Sequence, residues 1–316
     1  MTNEPFRTLV RAEGARLYRD LPWRRTRDPY EIWLSEVMLQ QTQVARVQTR
    51  WAEWLDRFPS VFSLAEASTA DVLAAWQGMG YNRRALALKA AAEAIVRDFD
   101  GEFLRDTRDL VSLPGIGPAT AQGIRSFAFD LPGVYLETNV RTVFLHHFFP
   151  DVPAVPDKEL IPLIEAACPL PAGLASVDDG VDGAANAGNV VEVDGLRFAP
   201  PQDDDDTPRS WYYALLDYGA YLKKTVPNPS RRSKTYARQS KFEGSRRQKR
   251  AEIVRILLDA QTHGEMLETH AVCILLNEQE LKATRPAVED DVVLSILADL
   301  KREGFCTDRD GLWQIC

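Results

Sequence analysis

Apolar positions recur every three to four residues along most of the first 167 residues, the spacing of helices that bury one face. Phe6, Leu9, Val10 and Leu17 set a first helix over 5–19, and Pro22 breaks the segment after it. Asp28 then reads as an N-cap and Pro29 as the first residue of a helix running to about Leu39. Ile32, Trp33, Val37 and Leu39 are expected to be buried there, with Glu36 near the C-terminal part. Helices follow over 42–57, 61–66 and 69–76, the last capped by Ser68 or Thr69 and turning Val72, Leu73 and Trp76 inward. After a turn at Gly78–Tyr81 comes a long helix over 83–99. Residues 104–113 and 119–129 flank a turn rich in Pro and Gly, and 136–149 and 157–167 are two further helices. No run alternates like a strand before about residue 188, so this region is predicted to be all-α.

The pattern breaks over 169–209, which is rich in Gly, Ala, Asp and Pro around a short Val190–Val193 run. A mobile acidic insertion is expected, with a small hairpin as the alternative. A helix resumes over 211–224 and ends at Pro227-Asn228-Pro229. Helices over 245–259, 265–276 and 286–303 precede a hairpin over 304–315, for which Asp310-Gly311 is a good turn dipeptide. Three helices and a hairpin make a winged-helix-like α+β domain over 240–316.

Charge sharpens this division. The net charge is −8, which taken whole argues against a polyanionic partner. Residues 171–210, however, hold a large share of the acids, and 221–250 hold a dense run of Lys and Arg with Glu243 as the one acid. A local basic field suffices for nucleic acid. No run of roughly eighteen apolar residues is present, and the first fourteen residues carry charges where a signal peptide needs an apolar core. A cytoplasmic protein is therefore expected. Cys168, Cys273, Cys306 and Cys316 have no ligand-like spacing, and the four histidines form no metal pattern, so no metal is expected.

The stretch Leu113-Pro-Gly-Ile-Gly-Pro-Ala-Thr-Ala-Gln-Gly123 carries the first chemical signal. Pro118 suits the first position of a helix, and Gly115 and Gly117 permit positive φ and close backbone approach. The result is a helix N-terminus with exposed N–H groups, which attracts anions. Two other stretches join it: Ser35-Glu-Val-Met-Leu-Gln-Gln-Thr-Gln43 and Glu137-Thr-Asn-Val-Arg141. Together they resemble the helix-hairpin-helix (HhH-GPD) base-excision DNA glycosylases, and within them the adenine glycosylases, over about residues 5–224 without the insertion.

The resemblance implies an all-α, two-module helix-hairpin-helix fold. One module would span 29–135, and the second 1–28 with 136–232, interrupted by the acidic insertion 169–209. It implies a partner, double-stranded DNA with a mismatch or lesion, from which adenine opposite 8-oxoguanine or guanine is flipped out and released. Glu36 would protonate the base and then help direct water to the sugar. Desolvation and nearby phosphates would raise its pKa for that task. Glu137 would stabilise the sugar cation. Gly115 and Gly117 would hold a phosphate and Asn139 would organise backbone or phosphate. Gln41 and Tyr81 would manage the opposite strand, and Arg19, Leu21, Trp23 and Tyr213 would line the base pocket.

Departures from the family pattern bear on the chemistry. The relatives that also cut the strand have Lys where this chain has Ala119; without the amine no Schiff base forms, so a monofunctional glycosylase is expected. Glu137-Thr138 replaces the family's Asp-Gly, and Tyr213 stands where Gln or Glu usually meets the adenine edge. The cysteines that hold a 4Fe-4S cluster in the family have no counterpart between Cys168 and Cys273, so no cofactor is expected. The family's C-terminal domain that inspects the opposite base is not evident in 245–316. Two rival readings follow: a glycosylase for another damaged or mismatched base, and a non-catalytic DNA-binding protein on the same scaffold.

Overall fold

The computed structural model describes residues 3–170, 191–193, 196–198, 206–237 and 241–316. In chain order its helices begin with α1 (Asn3–Leu17), α2 (Pro29–Leu39), α3 (Val44–Arg57), α4 (Val61–Glu66), α5 (Thr69–Ala75) and α6 (Arg83–Phe99). The hairpin pair α7 (Thr107–Ser112) and α8 (Pro118–Phe129) follows, then α9 (Thr138–Phe148) and α10 (Asp157–Ala167). Strands β1 (Val191–Val193) and β2 (Leu196–Phe198) pair antiparallel, and α11 (Pro208–Thr225) comes next. The chain ends with α12 (Arg246–Thr262), β3 (Leu267–Glu268), α13 (Thr269–Lys282), α14 (Asp290–Arg302), β4 (Cys306–Arg309) and β5 (Leu312–Ile315).

The helix ends are set by side chains that satisfy free N–H groups. Asp28 Oδ1 accepts from Tyr30 N at 2.8 Å, as the Asp28-Pro29 reading expects. Ser68, rather than Thr69, caps α5 through Asp71 N at 3.0 Å. Thr207 and Ser210 form a reciprocal capping box at the head of α11.

Chain proximity groups Met1–Val37 with Phe103–Arg238, and Met38–Glu102 with Gln239–Cys316. This partition cuts across the module boundaries near 28 and 135 that the resemblance implies. In the first unit α11 lies against α1, α8 and α9 around Phe6, Phe127, Phe144, Trp211 and Tyr212. Two glycines set how closely these helices approach. A Cβ on Gly14 would lie 2.3 Å from Ala214 Cβ, and one on Gly219 would lie 2.2 Å from the Asn139 carbonyl oxygen.

In the second unit α6 supports α4 and α5 over Trp54, Trp76 and Leu88. Its C-terminal part orders three strands as β3-β5-β4, all antiparallel, beside α12, α13 and α14. Helix, strand, helix, helix and hairpin is the winged-helix arrangement expected from 240–316. Asp310 (φ 52°) and Gly311 (φ 83°) both hold the left-handed backbone that a two-residue hairpin turn requires.

Three expectations are corrected. Leu39 is half-buried rather than buried, while Leu34 and Met38 fill that face. The helix expected from 265 starts at Thr269, because Leu267 and Glu268 pair with Trp313 and Leu312. The helix expected from 136 starts at Thr138, because Glu137 is its cap. Within the Val190–Val193 run, Val191–Val193 pairs with Leu196–Phe198 as the small hairpin given as the alternative to a mobile insertion; the rest of 171–205 lies outside the described residues. Among the described residues no helix is long and apolar enough to cross a membrane.

Candidate active site

The site begins with Glu36, placed on α2 where every near neighbour in sequence but one is buried. Its carboxyl group points at α8, where Gly123 leaves room for it. A Cβ on Gly123 would fall 2.2 Å from Glu36 Oε2 and 2.7 Å from its Cδ. The Tyr135 hydroxyl donates to Oε2 at 2.8 Å. Burial raises the Glu36 pKa to about 8; the Tyr135 hydrogen bond opposes this and the negative charge of Glu137 adds to it. Glu36 therefore keeps its proton at neutral pH, in the free protein and before any phosphate approaches.

Glu137 is the N-cap of α9. Its carboxylate accepts from Asn139 N at 2.6 Å and, at 3.4 Å, from Asn139 Nδ2. Lys223 Nζ donates to Asn139 Oδ1 at 2.8 Å. Asn139 is thus committed at both ends of its amide: it fixes Glu137 on one side and takes a cation on the other. A protonated carboxyl together with a second carboxylate that caps a helix is the pair that acid-assisted bond cleavage uses.

Tyr213 lies in the same unit, stacked on Phe127 at 4.4 Å between centroids with the planes 5° apart. The Arg24 guanidinium covers it at 4.4 Å and that of Arg209 at 5.3 Å. Its hydroxyl is buried with no hydrogen-bond partner among the described residues, and burial pushes its pKa far up. The Arg209 and Arg24 charges oppose that shift, and the charge of Glu36 adds to it. An unsatisfied buried hydroxyl costs about 1–3 kcal/mol. A bound molecule that accepts or donates there recovers that cost.

The other pocket candidates stand on a buried ion cluster. Asp217 accepts from Arg24 Nη1 and Nη2 at 2.7 and 2.8 Å, and from the backbone N of Arg19 at 3.1 Å. The Arg19 side chain pairs with the same carboxylate. Leu21 and Trp23 are buried. Arg19 therefore anchors the segment that carries Leu21 and Trp23, with its guanidinium held by Asp217.

At the hairpin, Pro118 opens α8 as expected, and Pro114, Gly115, Gly117 and Ala119 are all exposed. Gly115 has φ 74°, but Gly117 has φ −86°, an ordinary backbone value, and a Cβ there would meet nothing within 4 Å. The expectation of positive φ is thus corrected for Gly117. What glycine provides at 117 is open space over the helix N-terminus.

Gln41 and Tyr81 belong to the other unit. Both are non-glycine residues in the left-handed region, at φ 54° and 50°. Arg84 holds the two loops that carry them. Its Nη1 donates to the carbonyls of Met38 and Gln40 at 3.1 and 2.7 Å. Its Nη2 donates to Thr42 Oγ1 at 3.2 Å, Met79 O at 3.1 Å and Gly80 O at 2.9 Å.

Sequence reasoning passed over Tyr135, Gly123, Arg84, Arg24 and Asp217. Only Gly123 left a local signal: a glycine inside an apolar helix marks close approach. The others act through partners dozens of residues away.

The cysteines do not fit a 4Fe-4S cluster. Burial raises the Cys168 and Cys273 thiols to about 11 and Cys306 to about 12. Each faces a different carbonyl, of Pro169, Val288 and Leu297 respectively. Among the described residues no group of three or more His, Cys, Asp or Glu is placed to hold a metal ion.

Residues 34–162 match the model of the HhH-GPD superfamily of base excision DNA repair proteins. This part of the chain is similar to that superfamily. The HhH-GPD stretch holds Glu36, Gln41, Tyr81, both hairpin glycines, Glu137 and Asn139. The chain is 41% identical over 157 residues to the adenine DNA glycosylase of Mycolicibacterium smegmatis, covering 49% of this chain and 53% of that protein. It is 46% identical over 129 residues to the adenine DNA glycosylase of Mycobacterium tuberculosis, covering 40% and 42%. The chain thus spans about half the length of these relatives. A solved complex of endonuclease III with DNA aligns at TM-score 0.50 and 14% identity, over 78% of this chain and 94% of that one. It supports the HhH-GPD fold.

Proposed function

We propose that this protein is a monofunctional DNA glycosylase of base excision repair that acts, as a monomer, on adenine mispaired with 8-oxoguanine or guanine. The observation that carries this reading is Glu36, whose carboxyl is held protonated to about pH 8 beside the charge of Glu137. Glu36 donates its proton to a ring nitrogen of the flipped base as the N-glycosidic bond breaks, and the base leaves with the bonding electrons. The sugar is left as an oxocarbenium-like cation, which the Glu137 carboxylate stabilises. Glu36, now ionised, accepts a proton from the water that attacks the anomeric carbon, and the acid is restored. Ala119 offers no amine to compete with that water, so the product is an intact abasic site. The names of the mycobacterial relatives supply the base, adenine.

The test is single-turnover excision from duplexes with adenine opposite 8-oxoguanine and opposite guanine, by wild type and Glu36→Gln. Adenine release by wild type, lost in Glu36→Gln, is expected. Tight binding without release from either duplex refutes the reading. A second reading, excision of a different base, draws on Tyr213, whose phenol makes a single hydrogen bond where an amide makes a pair. A panel of lesion duplexes separates the two.

A further inference from the structure

The unit formed by 38–102 and 239–316 contains a cavity of about 570 Å³, within the range of about 300–1,000 Å³ typical of small-molecule sites. One wall is made by the two strained tips, Gln41 and Tyr81, which Arg84 locks in place. A non-glycine residue held in this backbone region costs of order 1–3 kcal/mol and recurs at ligand clamps. The other wall comes from the C-terminal module: Phe242, the first turns of α12, the end of α14, and Phe305. Arg247 connects the walls. Its Nη1 donates to the Tyr81 hydroxyl at 2.8 Å, and its guanidinium lies 5.1 Å from the Tyr81 ring centroid and 5.4 Å from that of Phe242.

Six arginines line the cavity against Asp299 and Glu303. The two carboxylates are each held by arginines: Glu303 by Arg83 and Arg250, Asp299 by Arg246 and Arg302. The surplus is strongly positive. Between the cations lie two aromatic rings and an apolar floor that includes Val254, Leu300 and Phe305. Aromatic faces beside arginines are the chemistry that receives a base and its phosphate. A purely anionic ligand has no use for the apolar floor, and a purely apolar one has no use for the arginines.

We propose that this cavity binds one unpaired nucleotide of the DNA, with the base on the faces of Tyr81 and Phe242 and the phosphate on Arg246 and Arg247. The entering base takes the ring faces that Arg247 now covers, and Arg247 turns to the phosphate. The winged-helix-like module thereby completes a subsite that the helical scaffold alone leaves open on one side. This inference rests on the reading of the protein as a DNA glycosylase.

The probe is a duplex carrying 2-aminopurine opposite a tetrahydrofuran abasic-site analogue, used with the full-length protein. Stacking on the rings quenches its fluorescence. Wild type is expected to quench the signal at least about twofold at saturation, and Phe242→Ala to lose most of that quench. Phe242 is 43% exposed, so its truncation leaves the core filled, and urea midpoints check this. Arg247→Ala is expected to weaken duplex binding about tenfold at low salt and to reduce the salt slope by about one. Quenching by Phe242→Ala equal to that of wild type, or none by a wild type that still excises adenine, overturns the cavity and leaves the glycosylase reading standing. A wild type that neither binds duplex nor excises adenine overturns both.

Discussion

Glu36 should make the protein less stable as the pH rises toward 8. Its carboxyl titrates at about 8 in the folded protein against 4.5 in the ordinary case, with burial as the main cause. Between those values the native state holds a proton that the unfolded chain has released. Unfolding then releases that proton, and stability falls by about 1.4 kcal/mol per pH unit. The contribution is fully present below about pH 4.5, is lost progressively, and levels off above about pH 8, a total of about 5 kcal/mol. This is comparable with the whole stability of many domains, about 5–15 kcal/mol. Glu36→Gln keeps the size and removes the titration. Urea unfolding of both proteins from about pH 5.5 to 9 isolates it, because every other titrating group is shared. The stability of wild type minus that of Glu36→Gln should fall with the stated slope and flatten near pH 8. Glu137→Gln in the same series should move the break to lower pH, since the Glu137 charge contributes to the shift. A difference that stays constant with pH would show Glu36 ionised at neutral pH and remove the basis for its role as acid. In excision assays the alkaline limb of kcat/KM should fall near pH 8, and that of kcat above it, because in the complex the DNA phosphates disfavour ionisation further.

Three further outcomes follow from the same unit. Gly123→Ala should reduce excision at least about a hundredfold by pushing the Glu36 carboxyl aside, while changing stability by less than about 1 kcal/mol; unchanged excision kinetics would refute the contact. Tyr213→Phe should leave the free protein as stable or about 1 kcal/mol more stable, because it deletes a buried unpaired hydroxyl, and should slow excision; a stability loss above about 1 kcal/mol would mean the hydroxyl is bonded in the free protein. Asp217→Asn should cost about 3–5 kcal/mol in urea unfolding, because it strands Arg24, whose side chain is 1% exposed, and a cost below about 1 kcal/mol would refute the buried pairing.

The fold was legible in the sequence because the helical period repeats cleanly and its stops are chemical. Asp28-Pro29, Ser68, Pro118 and Asp310-Gly311 each act within two or three residues of themselves, so the chain announces them locally. The errors have the opposite character. Leu267 and Glu268 become a strand only because Trp313 and Leu312 come to lie beside them, and nothing near residue 267 encodes that. Glycine at 117 permits positive φ, but the backbone there has φ −86°, so permission is not use.

The site divides along the same line. Glu36, Glu137 and the hairpin could be found because their motifs are local and share a helix or a turn. What makes Glu36 an acid could not, since its burial against α8 at Gly123 and the charge of Glu137, about a hundred residues away, raise its pKa against the pull of the Tyr135 hydrogen bond. Arg24 carries no local signal of its place, and it is buried on Asp217, 193 residues later. The motif places a carboxyl group at position 36, and the packing around it decides that the group keeps its proton. Glycosidic chemistry needs both, so replacing Gly123 or Tyr135 should test the acid as directly as replacing Glu36 itself. Tyr135→Phe removes the one hydrogen bond that favours the charged form, and the alkaline limb should then move upward while Glu36 remains in place.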